Sequence, residues 1–167
     1  GSGIGVHEHE FIRWGVDFYK RAAISEEVLK IVKMAWMQDE VTFAGNYFNF
    51  DEALPQPKPF QKPYPPIWAA VHSKPALEWA AKNNYHVAQN LDTDDVIAEK
   101  FDYFRKTWRA CHHEGPMPRI FLMRQVHVAE TDEKAHEQAR QYLVAREGGT
   151  VPVGGGPIEK TRIGWGT

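Results

Sequence analysis

The sequence predicts an α/β protein built on a parallel sheet, and three observations predict it. Ile67–Val71 is an unbroken apolar run, as expected for a strand covered on both faces. Tyr85–Asn90 and Ile120–Ala129 are two further strand-like runs. Each of the three leads into a stretch with helical periodicity, so the order strand–helix occurs three times over. That order fits a doubly wound sheet or part of a TIM barrel. In both architectures the working residues stand at the C-terminal ends of the strands.

At 167 residues and 43% hydrophobic, the chain is long enough for one sizeable core, and its length predicts a single domain. Twenty basic and 22 acidic side chains leave a formal charge of −2, which gives no electrostatic case for nucleic acid or an anionic membrane. No apolar run approaches the ~20 residues a bilayer requires, and no signal-peptide core is present. The lone Cys111 excludes an internal disulfide and suits a reducing compartment, so a cytoplasmic protein is expected. Aromatic residues, at 13%, imply a well-filled core or a large partner surface.

Taken in order, Gly1-Ser2-Gly3-Ile4-Gly5 is glycine-rich but lacks the spacing and lysine of a phosphate loop. His7-Glu8-His9-Glu10 offers metal-ligand types without the spacing that sets two imidazoles on one helix face. A solvated loop entering a helix is expected there, with no metal. Phe11, Trp14 and Phe18 recur at helical spacing, interrupted by Gly15. Ser25 reads as an N-cap with Glu26 and Glu27 in the first turn. The apolar face of that helix runs from Val28 to Trp36, and the helix ends near Gln38. A hairpin follows, Val41–Phe43 and Tyr47–Phe50 about Ala44-Gly45-Asn46. Six prolines between Pro55 and Pro66 then make a stiff, extended connection.

The connection delivers the chain to Ile67–Ala81, the stretch around which the rest is organised. His72 and Ser73 stand at the strand's C-terminal end, and Lys74 and Pro75 open the helix. A hydroxyl residue at a helix N-terminus is a plausible seat for a phosphate, since unpaired N–H groups and the helix dipole both favour an anion. The same Ser73 is equally an ordinary N-cap. The second strand likewise ends in polar residues, Gln89 and Asn90. Thr93 caps the next helix, with Asp94 and Asp95 in its first turn. There Ile97, Phe101, Phe104, Trp108 and Cys111 share one face, which makes Cys111 a core or boundary residue and not a nucleophile. His112-His113-Glu114 reads as a solvated helix end. Thr131 caps a last helix running to about Ala145. The domain expectation is one folded unit over 1–147 and a glycine-rich loop, lid or disordered tail over 148–167.

Several of these stretches form an ordered series: Phe11–Arg21 (FIRWGVDFYKR), Ser25–Trp36 leading to Val41-Thr42-Phe43-Ala44-Gly45-Asn46-Tyr47-Phe48, Pro55-Gln56-Pro57, and Pro65-Pro66-Ile67-Trp68 running into Ser73. In them the chain resembles the bacterial luciferase-like family of flavin-dependent oxidoreductases over nearly its whole length. One departure is Trp14-Gly15, where the family pattern has a Phe-Gly pair.

The resemblance implies a partial TIM (β/α)8 barrel comprising roughly the middle-to-later βα units. It implies reduced FMN, supplied by a flavin reductase, with a deazaflavin as the alternative cofactor. The reaction it implies is a monooxygenation, in which reduced flavin captures O2 and oxygen passes to an aldehyde, sulfonate or similar organic substrate. Ser73 would hold the FMN phosphate, flanked by His72 and Lys74, while Ala76 stands where bacterial luciferase has a further hydroxyl residue. Gln89 and Asn90 would line the flavin face of the barrel. No catalytic residue is assigned by the resemblance. By the same comparison the first three strands and the last are missing, so the segment is expected to be inactive alone. A piece of barrel exposes sheet edges and an apolar interior, which makes a non-catalytic, self-associating half-barrel homodimer the alternative.

Overall fold

The computed structural model describes residues 1–147 apart from 91 and 125. The glycine-rich segment expected as a lid or tail, 148–167, lies outside the described residues. The chain falls into two compact units, Gly1–Ile67 and Trp68–Thr167. The proline run ends at the boundary between them, as suits a connection whose prolines donate no hydrogen bonds.

In the first unit, α1 (Glu8–Arg13) stops before Gly15, whose φ of +66° is left-handed. The next helix, α2 (Arg21–Met37), begins four residues before Ser25, which is therefore not its N-cap. A 3-10 turn, Phe18–Lys20, runs straight into α2. Its own start is capped by Asp17, which accepts the Tyr19 N–H at 2.9 Å. Starting early puts Glu27 inside the helix, where it is buried. Its carboxylate accepts the backbone N–H groups of Asn46, Tyr47 and Phe48 at 2.7, 3.0 and 3.3 Å. Those residues form the loop of an antiparallel hairpin, β1 (Val41–Ala44) and β2 (Asn49–Ala53), with Phe43 opposite Phe50. Burial opposes the Glu27 charge, but the three amides and nearby Lys30 hold its carboxyl below the usual range. At the far end of α2, the Lys58 ammonium donates to the carbonyls of Ala35 and Gln38, closing the helix C-terminus.

The second unit alternates as expected: β3 (Trp68–Ala70), α3 (Lys74–Lys82), β4 (His86–Gln89), α4 (Asp94–Ala110), β5 (Ile120–Leu122) and α5 (Asp132–Glu147). The strands form one parallel sheet in the order β3-β4-β5, with Ala69, Val87 and Ile120 in register. Alternate residues Ala69, Val71, Val87 and Gln89 are buried, together with Leu77, Ala80 and Ala81 of α3 and Ile97 and Phe104 of α4. The opposite face carries Trp68, Ala70, His86, Ala88 and Phe121. There the Trp68 ring lies 4.6 Å from that of His86 and meets Phe121 edge-on.

The long strand expected over Ile120–Ala129 is shorter than its sequence suggests. Met123 donates to the Gln89 carbonyl at 2.9 Å, and β4 ends there, so the ladder has no further partner to offer. Val126 and Val128 are consequently 79% and 82% exposed. Within Gly1–Gly3 there is only an isolated bridge at Ser2.

Candidate cofactor site at the strand ends

The parallel register brings the sequence-predicted residues together at one end of the sheet. Ala70 stands opposite Ala88, and Val71 donates to the Ala88 carbonyl at 3.2 Å. The pairing therefore carries Val71 alongside Gln89 and His72 alongside Asn90. Ser73 follows as the N-cap of α3, in extended conformation, its hydroxyl accepting the Ala76 N–H at 3.4 Å. Pro75 contributes no N–H, and those of Ser73 and Lys74 find no acceptor among the described residues.

Gln89 is 2% exposed, and neither atom of its amide has a hydrogen-bond partner. The Asn90 side-chain oxygen Oδ1, also buried, is likewise without one. Three orphaned polar atoms at one strand end are exceptional, because buried polar groups are nearly always paired. The alternation sharpens one expectation. Gln89 shares the side of Val71 and Val87, not that of Trp68 and His86. It thus stands away from the open sheet face expected to meet a flavin ring, at the end of the sheet from which α3 and α4 start.

Lys74 is not directed to this end. Its ammonium lies 5.6 Å from the Tyr103 ring centroid on α4, while the Tyr103 hydroxyl donates to Glu78 of α3. That bond, first among the causes, pushes the Tyr103 phenol up. Sequence reasoning missed Tyr103 and Glu78 because their pairing joins two helices and leaves no local signal. His72 is exposed and makes no hydrogen bond, ion pair or ring contact among the described residues.

The helix termini differ in charge. At α4, Asp94 pairs with Arg124, and hydrogen bonds from the Thr93 hydroxyl and Val96 amide hold Asp95 below the usual carboxylate range. At α5, Asp132 and Glu133 occupy the first turn. Among the described helices, α3 alone combines a hydroxyl cap with a first turn free of acidic residues. A helix start of that kind favours an anion, whereas the acidic first turns of α1, α4 and α5 disfavour one. The donor set fits a phosphate carrying a polyol: N–H and hydroxyl groups for the anion, amide carbonyls for hydroxyl donors. Among the described residues no group of three or more His, Cys, Asp or Glu is placed to hold a metal, and no helix is long and apolar enough to cross a membrane.

The chain is of the α/β class, in which ligands bind outside the C-terminal ends of the parallel strands. The sequence model for luciferase-like monooxygenases matches residues 1–155, and the chain belongs to that family. It is 27% identical over 150 residues to the oxygenase component of the flavin-dependent trigonelline monooxygenase of Acinetobacter baylyi, covering 86% of this chain and 41% of that protein. To the FMNH2-dependent dimethylsulfone monooxygenase of Pseudomonas putida it is 28% identical over 111 residues, 66% of this chain and 30% of the relative. Among solved structures, monooxygenase RslO1 from Streptomyces bottropensis superposes with a TM-score of 0.75 at 18% identity, covering 87% of this chain and 45% of that one. The oxygenating constituent of 3,6-diketocamphane monooxygenase from the CAM plasmid of Pseudomonas putida, in complex with FMN, gives a TM-score of 0.65 at 16% identity, covering 85% and 44%. The chain therefore spans less than half the length of these relatives, and the structures establish the likeness of fold.

Proposed function

We propose that this chain carries the flavin-phosphate-binding part of an FMN-dependent monooxygenase, with β3, β4 and β5 as consecutive strands of a (β/α)8 barrel. The observation that carries this reading is the α3 N-terminus, capped by Ser73 and clear of acidic residues, beside the unpartnered Gln89 amide and Asn90 side-chain oxygen. Ser73 and the first N–H groups of α3 hold the phosphate. Asn90 and Gln89 accept hydroxyl groups of the ribityl chain, which removes their desolvation penalty. His72 borders the phosphate in open solvent, and Lys74 assists only by leaving Tyr103. Reduced FMN, when bound, supplies the electrons that activate O2, and this chain's residues position and shield it.

The two relatives whose names specify a reduced flavin or an oxygenase component support a flavin reductase as transient partner and an organic small molecule as substrate. FMN, not a deazaflavin, is the cofactor in this reading, and the cytoplasm is its setting. Titrating FMN and riboflavin into the chain tests it. FMN should bind saturably and riboflavin at least about tenfold more weakly, because a charge-assisted phosphate contact contributes that much. Equal affinity for the two, or no binding of either, overturns the assignment.

A second reading, a self-associating half-barrel, draws on the sheet itself. Both β3 and β5 are edges of the three-stranded sheet, and Phe121, Leu122 and Met123 are exposed beside it. A colourless dimer by size-exclusion mass favours this reading over the flavin site; a monomer that binds FMN rules it out.

A further inference from the structure

Lys100 departs from the pattern of α4. It stands three residues after Ile97 and four before Phe104, so it shares the helix face that these two buried residues occupy. Its side chain is only 17% exposed. An apolar residue would fill that place at no electrostatic cost, whereas a lysine has its charge partly withdrawn from water. The position also lies near the start of the helix, where the dipole gives a cation no help. Such a break with local preference points to a task other than packing.

Its partner supplies that task. The Lys100 ammonium donates to Oδ2 of Asp92 at 2.6 Å, and the Asp92 side chain is itself only 33% exposed. Pairs of fully exposed charges contribute little, but breaking a pair drawn out of water leaves an uncompensated charge. Asp92 belongs to the turn between β4 and α4, and its own N–H donates to the Asn90 backbone carbonyl at 2.9 Å. One residue therefore ties α4, through its carboxylate, to the peptide of Asn90, through its amide. Asn90 carries the buried side-chain oxygen Oδ1 that has no hydrogen-bond partner. On the side of β5, Met123 donates to the Gln89 carbonyl, and Arg124 pairs with Asp94 at the start of α4. The turn is thus fastened from both neighbouring elements.

We infer that Lys100 is a positioning residue of the cofactor site: through Asp92 it holds Asn90 where Oδ1 meets a hydroxyl of the ribityl chain. The assignment rests on the flavin reading above and adds to it a side chain that touches no part of the cofactor. Holding the amide in one place removes ordering cost from binding, so loss of the Lys100 charge weakens the ligand without deleting a contact. The ribityl chain is common to FMN and riboflavin, and Lys100 therefore acts equally on both. Ser73 differs in this respect, because its effect is confined to the phosphate.

A double-mutant cycle on flavin affinity, measured by titration of the full chain, tests the role. Lys100→Met keeps most of the stem and removes the charge, and it should weaken FMN and riboflavin by one common factor of about three to ten. Asn90→Ala should weaken both by a similar factor. Adding Lys100→Met to Asn90→Ala should then change either affinity by less than about twofold, because the contact being positioned is already gone. Lys100→Arg, which keeps the charge, should recover most of the loss. A residue that served only the stability of α4 would give additive effects instead. If Lys100→Met does not fold, Asp92→Asn, which weakens the same pair and keeps an acceptor oxygen, takes its place in the cycle. Parent affinity in the Lys100→Met protein, an equal loss with and without Asn90, or an effect on FMN alone overturns the proposal and leaves the phosphate site standing. Parent affinity for FMN in Asn90→Ala overturns it together with the ribityl contact, and binding of neither flavin by the parent overturns the flavin reading as a whole.

Discussion

The Ser73 hydroxyl accepts the Ala76 N–H at 3.4 Å, near the outer limit of a hydrogen bond. A cap held this loosely adds little to α3 and leaves the hydroxyl able to donate to a phosphate oxygen. Ser73→Ala is expected to lower stability in urea by no more than about 1 kcal/mol. FMN affinity should fall about tenfold or more, because a hydrogen bond to a charged group is lost, while riboflavin affinity should hold. Unchanged FMN binding in the variant would remove Ser73 from the phosphate site.

Glu27 joins α2 to the hairpin loop through three backbone amides. Gly45 leaves room for it, since a Cβ there would overlap both Glu27 Oε2 and the Phe43 ring. Glu27→Gln sets an amide NH2 against N–H donors, so its melting temperature is expected to drop by several degrees. The folded carboxyl lies below its ordinary 4.5. Its stabilising contribution is therefore complete above that value and is lost as pH falls through the folded pKa. Thermal melts from pH 7 downward should show a shallower acid decline in the variant than in the parent. Parallel declines would mean that the amides do not read the charge.

Much of this architecture was legible because its signals are local. Pro75 after Ser73 marked the start of α3, Thr93-Asp94-Asp95 that of α4, and Gly45-Asn46 the hairpin, although Ala44 belongs to β1 and the second strand begins at Asn49, not Tyr47. Errors fell where a neighbour decides. Ser25 has the chemistry of a cap, but Asp17 and the 3-10 turn begin the helical path earlier. Val126 and Val128 have the chemistry of a strand, yet β4 ends at Gln89 and offers them no ladder. At the candidate site, chain order identified Ser73, Gln89 and Asn90. It did not reveal that Lys74 turns to Tyr103, or that Gln89 lies on the buried side, because both depend on packing between elements.

His86 provides a test of the open sheet face. Burial first, and the Arg119 charge second, hold its imidazole below the ordinary 6.5. Its Nδ1 accepts the Arg119 N–H at 2.7 Å, so the neutral ring carries its proton on Nε2. The unfolded chain takes up a proton before the folded one does. Stability from this group is thus complete above pH 6.5 and declines as pH falls from there toward the folded pKa. His86→Asn, which can still accept from Arg119, should remove that part of the decline. The comparison of unfolding free energies across this range, parent against variant, checks it; an identical slope would show that His86 binds its proton equally in the folded and unfolded states.

Gln89 separates a ligand group from a packing residue most directly. With both amide atoms buried and unpartnered, it lowers the stability of the chain without ligand by roughly 1–3 kcal/mol relative to an apolar side chain of similar shape. Gln89→Met conserves volume and removes the polar atoms, so the ligand-free variant should be more stable than the parent in urea unfolding. If the amide serves the ribityl hydroxyls, the same change should weaken FMN by about tenfold. The two effects are linked by sign. Tolerating an unsatisfied amide in the absence of ligand is useful only if a ligand satisfies it. Stabilisation with unaltered FMN affinity would leave Gln89 as a buried residue with no part in the site, and destabilisation would show that its amide is already paired through packing shifts or water.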